Sequence, residues 1–289
     1  MLTFFQAIVL GVLQGITELF PVSSLGHSVI LPQLLGWTDV VAAQSAPESY
    51  FLALLVGLHV ATAVALLVFY RATWARIVRG LLTSVQMQRV DTPDQRLGWL
   101  LIIATIPAGS VGLLLEHQLR VVFAKPLAAA AFLFVNGVIL LVGERRRRRT
   151  VDAAHPVTSP RRRRLDTLRP REAAAVGAAQ ALALLPGISR SGITMIAGLA
   201  RGLDHDDAAR FSFLLATPII LAAGLYKLPD LLGPNGDGVR PQILAGSMAA
   251  GLAAYLSVRF LTRYFTSRTL TPFAIYCLAV GGLAIVRFA

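Results

Sequence analysis

Residues 11–27 read GVLQGITELFPVSSLGH and place a run of polar side chains inside the apolar stretch 1–35. A second apolar stretch, residues 172–200, is interrupted in the same way by LPGISRSG at residues 185–192. A continuous helix of 35 residues would be about 52 Å long, too long to cross a hydrocarbon core of about 30 Å simply. Each stretch is therefore predicted to be a re-entrant hairpin, in which two half-helices meet at a polar tip.

The composition around these stretches is that of an integral membrane protein. Of the 289 residues, 55% are hydrophobic and 15% are charged, whereas a soluble domain carries about 25% charged residues. This balance excludes a soluble enzyme and a disordered chain. A spanning helix needs about 20 apolar residues, and six further segments without Asp, Glu, Lys or Arg approach that length. We predict spanning helices over residues 51–70, 97–115, 126–143, 211–226, 241–258 and 269–286.

The two interrupted stretches are similar to each other. A shift of 166 residues superposes five positions of the first on the second: Gly11 on Gly177, Gln14 on Gln180, Ser23 on Ser189, Ser24 on Arg190 and Gly26 on Gly192. We therefore predict an all-α polytopic membrane protein with two repeats, residues 1–144 and 172–289, each containing one hairpin and three spanning helices. Three spans per repeat make the second repeat inverted, and inverted repeats place a site at their interface near the bilayer midplane.

The arginines predict the orientation in the membrane. Residues 145–171 link the repeats and carry 11 arginines in a chain of net charge +12. Because cytoplasmic loops are enriched in Arg and Lys, this linker is predicted to be cytoplasmic. Counting spans places residues 71–96 and 259–268 on the same side and both termini outside. We expect these arginines to contact anionic lipid headgroups, and we expect no nucleic-acid partner.

Each polar tip contains one ionisable group, Glu18 in the first and Arg190 in the second. Such a group costs about 2.5–3.5 kcal/mol at the bilayer centre on insertion scales, so it marks a functional site by default. A purely structural ion pair is the alternative, but it would not need so many small and polar neighbours. We predict that the following residues bind a phosphate group: Arg190, Ser189, Ser191, Ser23, Gly26 and Gly192.

The remaining tip residues are suited to phosphoryl transfer. Glu18 and Gln14 are four residues apart on one helix face and offer oxygen ligands to Mg²⁺ or Ca²⁺. His27 lies one helical turn after Ser24, where it would accept a proton. We predict that Ser24 is the nucleophile, His27 its base and Glu18 a metal ligand, with attack by a metal-activated water as the alternative.

Other polar residues are interpreted as structural. His59, inside a predicted span, could approach the site, but a packed, hydrogen-bonded histidine is the favoured interpretation. Asn136 is interpreted as a link between helices. His117 and His205 are expected to be solvated at span ends. The aspartates near His205 are expected to cap a helix: Asp204, Asp206 and Asp207.

Residues 11–27 and 185–192 resemble the two signature motifs of the undecaprenyl-diphosphate phosphatase family, the bacitracin-resistance membrane phosphatases. Residues 57–59, 211–218 and 272–276 are also similar to that family, so the resemblance covers nearly the whole chain. It implies hydrolysis of a C55 isoprenyl diphosphate to the monophosphate and inorganic phosphate at the outer face of the bacterial plasma membrane. That reaction recycles the lipid carrier of peptidoglycan synthesis.

The resemblance also implies residue roles. The essential acid, the hydroxyl and imidazole of the first motif, and the phosphate-binding pair match these positions: Glu18, Ser24, His27, Ser189 and Arg190. Gln14 stands where some members have glutamate, which leaves one carboxylate fewer for a metal, and Leu25 stands where members often have threonine. The expected partners are the polyprenyl diphosphate and membrane lipids, with a homodimer left open.

Two other classes of function were compared with this one. A lipid-phosphate flippase or an anion transporter would share the inverted-repeat architecture. Phosphate release by purified protein in detergent, without a gradient, would distinguish the enzyme from a transporter. The third class is the acid-phosphatase-like lipid phosphatases, whose pattern resembles Ser-Arg followed six residues later by His. Ile196 occupies that position after Ser189 and Arg190, so the sequence does not fit this class.

The charge distribution predicts that the C-terminus lies outside. A reporter that is active only in the cytoplasm should therefore be inactive when it is fused after Ala289. The same reporter fused after Arg149, in the predicted cytoplasmic linker, should be active. A strong signal from the Ala289 fusion would contradict the inverted arrangement of the two repeats.

Overall fold

The computed structural model describes most of the chain. It covers residues 2–46, 49–123, 125–153 and 163–289. Residues 154–162 of the predicted linker and the side chain of His117 lie outside this description, so the predictions made for them stay predictions. Within the described ranges the regular structure is helical, and the α-helices are α1 (Phe4–Thr17), α2 (Ser24–Leu34), α3 (Thr38–Ser45), α4 (Tyr50–Phe69), α5 (Arg71–Met87), α6 (Pro93–Phe123), α7 (Pro126–Ala153), α8 (Pro170–Ala179), α9 (Arg190–Leu199), α10 (His205–Tyr226), α11 (Leu228–Leu232), α12 (Arg240–Tyr264) and α13 (Thr271–Phe288).

Six helices in the described part are long and apolar enough to cross a bilayer. Their candidate spans are Tyr50–Phe69, Pro93–Leu114, Pro126–Arg149, His205–Tyr226, Arg240–Tyr264 and Thr271–Phe288. Each contains or closely overlaps one predicted span, so the prediction of an all-helical chain with six such helices is confirmed. Several observed helices are longer than predicted because backbone hydrogen bonding continues into charged sequence, as in α7 beyond Glu144.

The segment between the first two spans is a helix rather than the predicted charged loop. Arg71–Met87 forms α5, which packs against the start of α6. Its Ala, Arg, Leu and Met residues all have high helix propensity. Trp99 of α6 donates its indole N–H to the hydroxyl of Ser84 on α5 at 2.9 Å. The arginines of this segment therefore project from a helix that is attached to the next span.

Both interrupted stretches break where the polar residues begin. α1 ends at Thr17 and α2 begins at Ser24, whereas α8 continues as the 3₁₀ turn Gln180–Leu184 before α9 begins at Arg190. The first hydroxyl before each new helix accepts a hydrogen bond from a glycine N–H: Ser23 from Gly26 at 3.3 Å and Ser189 from Gly192 at 3.2 Å. The predicted helix breaks and serine caps are present in the structure.

Helices of each half pack against helices of the other half. α1 packs along α12, α8 packs along α6, and α7 packs along α13. Two glycines allow the first two contacts: a Cβ on Gly11 would lie 2.1 Å from the carbonyl oxygen of Gly246, and one on Gly177 would lie 2.1 Å from that of Ala104. A two-fold relation between the halves would produce this exchange of partners, although the inverted repeat itself stays a prediction.

The close contact between α1 and α12 predicts a strong effect of one methyl group. Gly11→Ala forces a Cβ against backbone that cannot rotate away, so we expect a loss of about 1–3 kcal/mol in the free energy of unfolding. Gly109→Ala is the matched control, because nothing beyond its chain neighbours and the nearby backbone of its own helix lies within 4 Å of its ideal Cβ. Thermal unfolding in detergent measures both variants, and equal midpoints would show that the α1–α12 contact is loose.

Candidate active site

The two polar tips are in direct contact. The backbone N–H of Gly187 donates to Oγ of Ser23 at 3.1 Å, and Oγ of Ser191 donates to the carbonyl oxygen of Phe20 at 3.1 Å. A Cβ on Gly26 would lie 2.8 Å from Cα of Gly187, so a larger residue there would separate the tips. The sequence analysis expected the tips to meet, and the structure brings them together.

The carboxylate of Glu18 is the centre of the joined tips. Its Oε1 accepts from Nη2 of Arg190 at 2.8 Å. Its Oε2 accepts from the hydroxyl of Ser24 at 2.5 Å and from Nε2 of Gln14 at 3.1 Å, and Nε2 of His59 lies 3.5 Å from the same oxygen. The ion pair considered above as a structural alternative is therefore formed, but it belongs to a cluster of five polar side chains.

Ser23 has an unusual backbone conformation. Its φ of 69° and ψ of 106° place it in a region that residues with a side chain rarely adopt. Such a residue costs about 1–3 kcal/mol and persists only where its surroundings determine it. Here Oγ of Ser23 accepts two backbone N–H groups, and its carbonyl oxygen is 2.7 Å from Nδ1 of His27. Strain of this kind is concentrated at functional sites.

His27 is not placed to act on Ser24 as the sequence analysis expected. Because a carbonyl oxygen only accepts, Nδ1 carries the proton that is shared with Ser23, and Nε2 accepts from the hydroxyl of Tyr276 at 2.8 Å. The hydroxyl of Ser24 donates to Glu18 instead. The three-residue spacing places both side chains on one face of α2, but the hydrogen bond to Tyr276 holds the imidazole towards α13. A catalytic role of His27 stays a prediction, but its predicted contact with Ser24 is absent.

Asn136 connects α7 to both tips. Its Nδ2 donates to the carbonyl oxygen of Pro21 at 3.0 Å, and its Oδ1 accepts from the backbone N–H of Ser189 at 3.0 Å. The expected role as a link between helices is confirmed, and the link is made at the site itself. Neither Asn136 nor Tyr276 was predicted as a site residue, because each lies far in sequence from the tips.

Two buried polar atoms of the cluster have no hydrogen-bond partner in the described part of the chain. They are Nη1 of Arg190 and Oε1 of Gln14. An unpaired buried donor or acceptor is costly unless a ligand satisfies it. Nη1 of Arg190 is suited to an anion, particularly beside the N-terminal ends of α2 and α9. Oε1 of Gln14 is suited to a cation, next to the carboxylate of Glu18.

The oxygen atoms of Gln14 and Glu18 can hold a divalent cation only if the substrate or water supplies the remaining ligands. Gln14 and Glu18 are adjacent, as predicted; Gln14 donates Nε2 to Glu18, and its unpaired Oε1 is the oxygen that it offers to a cation. The described residues contain no group of three or more His, Cys, Asp or Glu side chains that could hold a metal. Mg²⁺ is commonly bound by one or two carboxylates together with substrate phosphates and water. The residues present fit that arrangement.

His205 forms a buried pair with Glu144, which differs from the sequence prediction. His205 is buried and its Nε2 lies 2.8 Å from Oε2 of Glu144, so the prediction that it is solvated is wrong. This contact joins the start of α10 to α7, which the span boundaries did not indicate. Asp204 caps α10 by accepting from the N–H of Asp207 at 2.8 Å, as expected for a capping aspartate.

Comparison with known proteins shows the family. The model of the family described as bacitracin resistance protein BacA matches residues 7–283. The chain is 56% identical to undecaprenyl-diphosphatase 2 of Frankia alni, over all of this chain and 98% of that protein. It is 55% identical to undecaprenyl-diphosphatase of Mycolicibacterium paratuberculosis, with the same coverage. With its six apolar helices, the chain is a multi-pass membrane protein that belongs to the bacitracin resistance protein BacA family.

Proposed function

We propose that this protein hydrolyses undecaprenyl diphosphate to undecaprenyl phosphate and inorganic phosphate. Family membership and the names of the similar proteins support this reaction, and they do not favour a transporter. The observation that carries the proposal is the cluster around Glu18, which holds a serine hydroxyl beside an arginine with an unpaired N–H donor. The reaction would recycle the lipid carrier of cell-wall synthesis and thereby support bacitracin resistance.

The terminal phosphate of the substrate binds at the unpaired Nη1 of Arg190, beside the N-terminal ends of α2 and α9. Arg190 keeps Nη2 on Glu18 and presents Nη1 to a phosphate oxygen, which a planar guanidinium recognises well. The N-terminal ends of α2 and α9 add backbone N–H groups and positive dipole ends. Supporting groups around them are the predicted phosphate-binding residues: Ser23, Gly26, Ser189, Ser191 and Gly192.

Glu18, rather than His27, accepts the proton of the nucleophile in this proposal. The hydroxyl of Ser24 already donates to Oε2 of Glu18 at 2.5 Å. Oγ of Ser24 attacks the terminal phosphorus, its proton passes to Glu18, and the bond from phosphorus to the bridging oxygen breaks. Undecaprenyl phosphate leaves, and the phosphoryl group stays on Ser24. Attack by water with Ser24 as a hydrogen-bond donor is the rival mechanism.

A divalent cation, Mg²⁺ or Ca²⁺, is part of the proposal. Glu18 and Oε1 of Gln14 would hold it together with phosphate oxygens of the substrate. When bound, it would neutralise negative charge on the diphosphate. Because this chain offers one carboxylate here, we expect the cation to bind with the diphosphate rather than before it.

The location proposed for the site is the outer side of the bacterial plasma membrane. The arginine-rich segments on the other side of the predicted topology support this orientation. The contacts of α1 with α12 and of α8 with α6 support two inverted repeats with the site at their interface. A substrate whose diphosphate lies at the outer membrane surface would then reach Glu18 and Arg190.

Arg190→Lys tests the phosphate clamp. Lysine keeps the charge but lacks the planar guanidinium that binds Glu18 and a phosphate oxygen at the same time. We expect phosphate release to fall on the order of 10²-fold or more, as for loss of one preorganised electrostatic contact. Arg240→Lys, at an exposed arginine bonded to Leu232, is the control and should be nearly unchanged. Near-normal turnover of Arg190→Lys would show that Arg190 contributes its charge and not its planar geometry.

Ser24→Ala tests both the activity and the nucleophile. Purified wild-type protein should release phosphate from undecaprenyl diphosphate in detergent, and Ser24→Ala should bind the substrate but not turn it over. Ser28→Ala is the control, since this hydroxyl is one turn further along α2 and has no hydrogen-bond partner among the described residues. A Ser24→Ala rate above about a tenth of wild type, a loss below about 1.4 kcal/mol, would replace covalent catalysis by direct attack of water.

A further inference from the structure

His59 is oriented by its own helix towards the carboxylate of Glu18. Its Nδ1 lies 2.8 Å from the carbonyl oxygen of Leu55, one turn earlier on α4. Because a carbonyl oxygen only accepts, Nδ1 carries the proton, and Nε2 of the neutral ring has a free lone pair. That nitrogen lies 3.5 Å from Oε2 of Glu18. His59 was expected to be a packed histidine, with an approach to the site as the alternative; the structure places its free nitrogen at the site.

Nε2 of His59 and Oε2 of Glu18 are both acceptors when the imidazole is neutral. Two acceptors cannot bond to each other, so the arrangement favours a proton donor placed against both of them. A water molecule has two O–H groups and is the smallest such donor. Before the first step the pair is therefore suited to holding a water beside the hydroxyl of Ser24, which is bonded to the same carboxylate oxygen. Once Glu18 has taken the proton of Ser24, its O–H donates to the water oxygen, and the water still donates to Nε2 of His59.

The face of α4 that carries His59 is accessible as far as this residue. The side chain of His59 is 29% exposed, against 7% for Glu18. Residues of this face nearer to Tyr50 are half-buried: Leu52, Leu55 and Val56. Residues one and two turns beyond His59 are completely buried: Ala63 and Leu66. His59 is therefore the last partly exposed residue of this face before the packed side chains, and we infer that water reaches it from the Tyr50 end of α4.

His27 cannot fill the same role in this structure. Its Nδ1 is bonded to the carbonyl oxygen of Ser23, and its Nε2 accepts from Tyr276. His59 is bonded at Nδ1 alone and has an accessible Nε2. Of the two histidines near the tips, His59 is the one with a nitrogen available for proton transfer.

We propose that His59 is a further catalytic residue, which takes a proton from the water that hydrolyses the phosphorylated serine. The inference rests on the proposed function and on phosphoryl transfer to Ser24. In this second step the water oxygen bonds to phosphorus, and one water proton passes to Nε2 of His59. The bond between phosphorus and Oγ of Ser24 breaks, and Oγ recovers the proton that Glu18 accepted in the first step. Inorganic phosphate leaves, and the imidazolium returns its proton to solvent.

His59→Asn separates this catalytic role from a structural one. The amide N–H₂ of asparagine replaces Nδ1 as donor to Leu55, while the group corresponding to Nε2 is lost. A helix-packing role would be rescued by asparagine. A catalytic role predicts a fall in kcat on the order of 10²-fold or more, the usual contribution of a general base. The variant should still release about one undecaprenyl phosphate per protein molecule in its first turnover, and mass spectrometry should find phosphate on Ser24.

The outcomes are distinguishable from failure of the proposed function. If wild type releases no phosphate from undecaprenyl diphosphate, the proposed function is wrong whatever the variant does. If wild type is active, a nearly normal kcat for His59→Asn overturns the inference, and so does a slow variant without a first-turnover burst or phosphoserine. Thermal unfolding checks folding of the variant, and His59→Gln, with its amide near the Nε2 position, is the second variant with the same expected outcome.

Discussion

The buried carboxylate of Glu18 is the constraint on which the rest of the site depends. A buried charge is tolerated only with partners, and its hydrogen-bond partners come from three different helices. Gln14 precedes it on α1, Ser24 begins α2, and Arg190 begins α9. Satisfying one carboxylate therefore fixes the positions of both helix starts. The same contacts bring a hydroxyl and a guanidinium to one point, which is what phosphoryl transfer requires.

The two tips contribute different chemistry on a similar backbone. In each tip a serine caps the following helix through a glycine N–H, and the contact between the tips brings the two helix N-termini together. The first tip adds the acid and the hydroxyl, and the second adds the arginine. Asn136 of α7 bonds to the backbone of both tips and so fixes the position of one tip relative to the other.

The apolar spans and the tips could be predicted from the sequence because their signals are local. A run without charged residues indicates a spanning helix, and a polar run inside an apolar one indicates a break. The partners of His27 and His205 could not be predicted, since Tyr276 lies 249 residues from His27 and Glu144 lies 61 residues from His205. Helix α5 was missed because its charges resemble those of a loop. The direction of the His59 ring depends on how α4 rotates, which its almost uniformly apolar sequence leaves undetermined.

Because the site is divided between the two halves, it cannot form until both halves have been synthesised. Arg190 follows Glu18 by 172 residues. At a synthesis rate of about 5–20 residues per second, Arg190 is therefore added roughly 10–30 s after Glu18. The first tip meanwhile contains an acid and a strained serine without the partners that they have in the folded protein. We therefore expect the nascent first half to be catalytically silent, and activity to begin only once residues 185–192 have been translated and inserted.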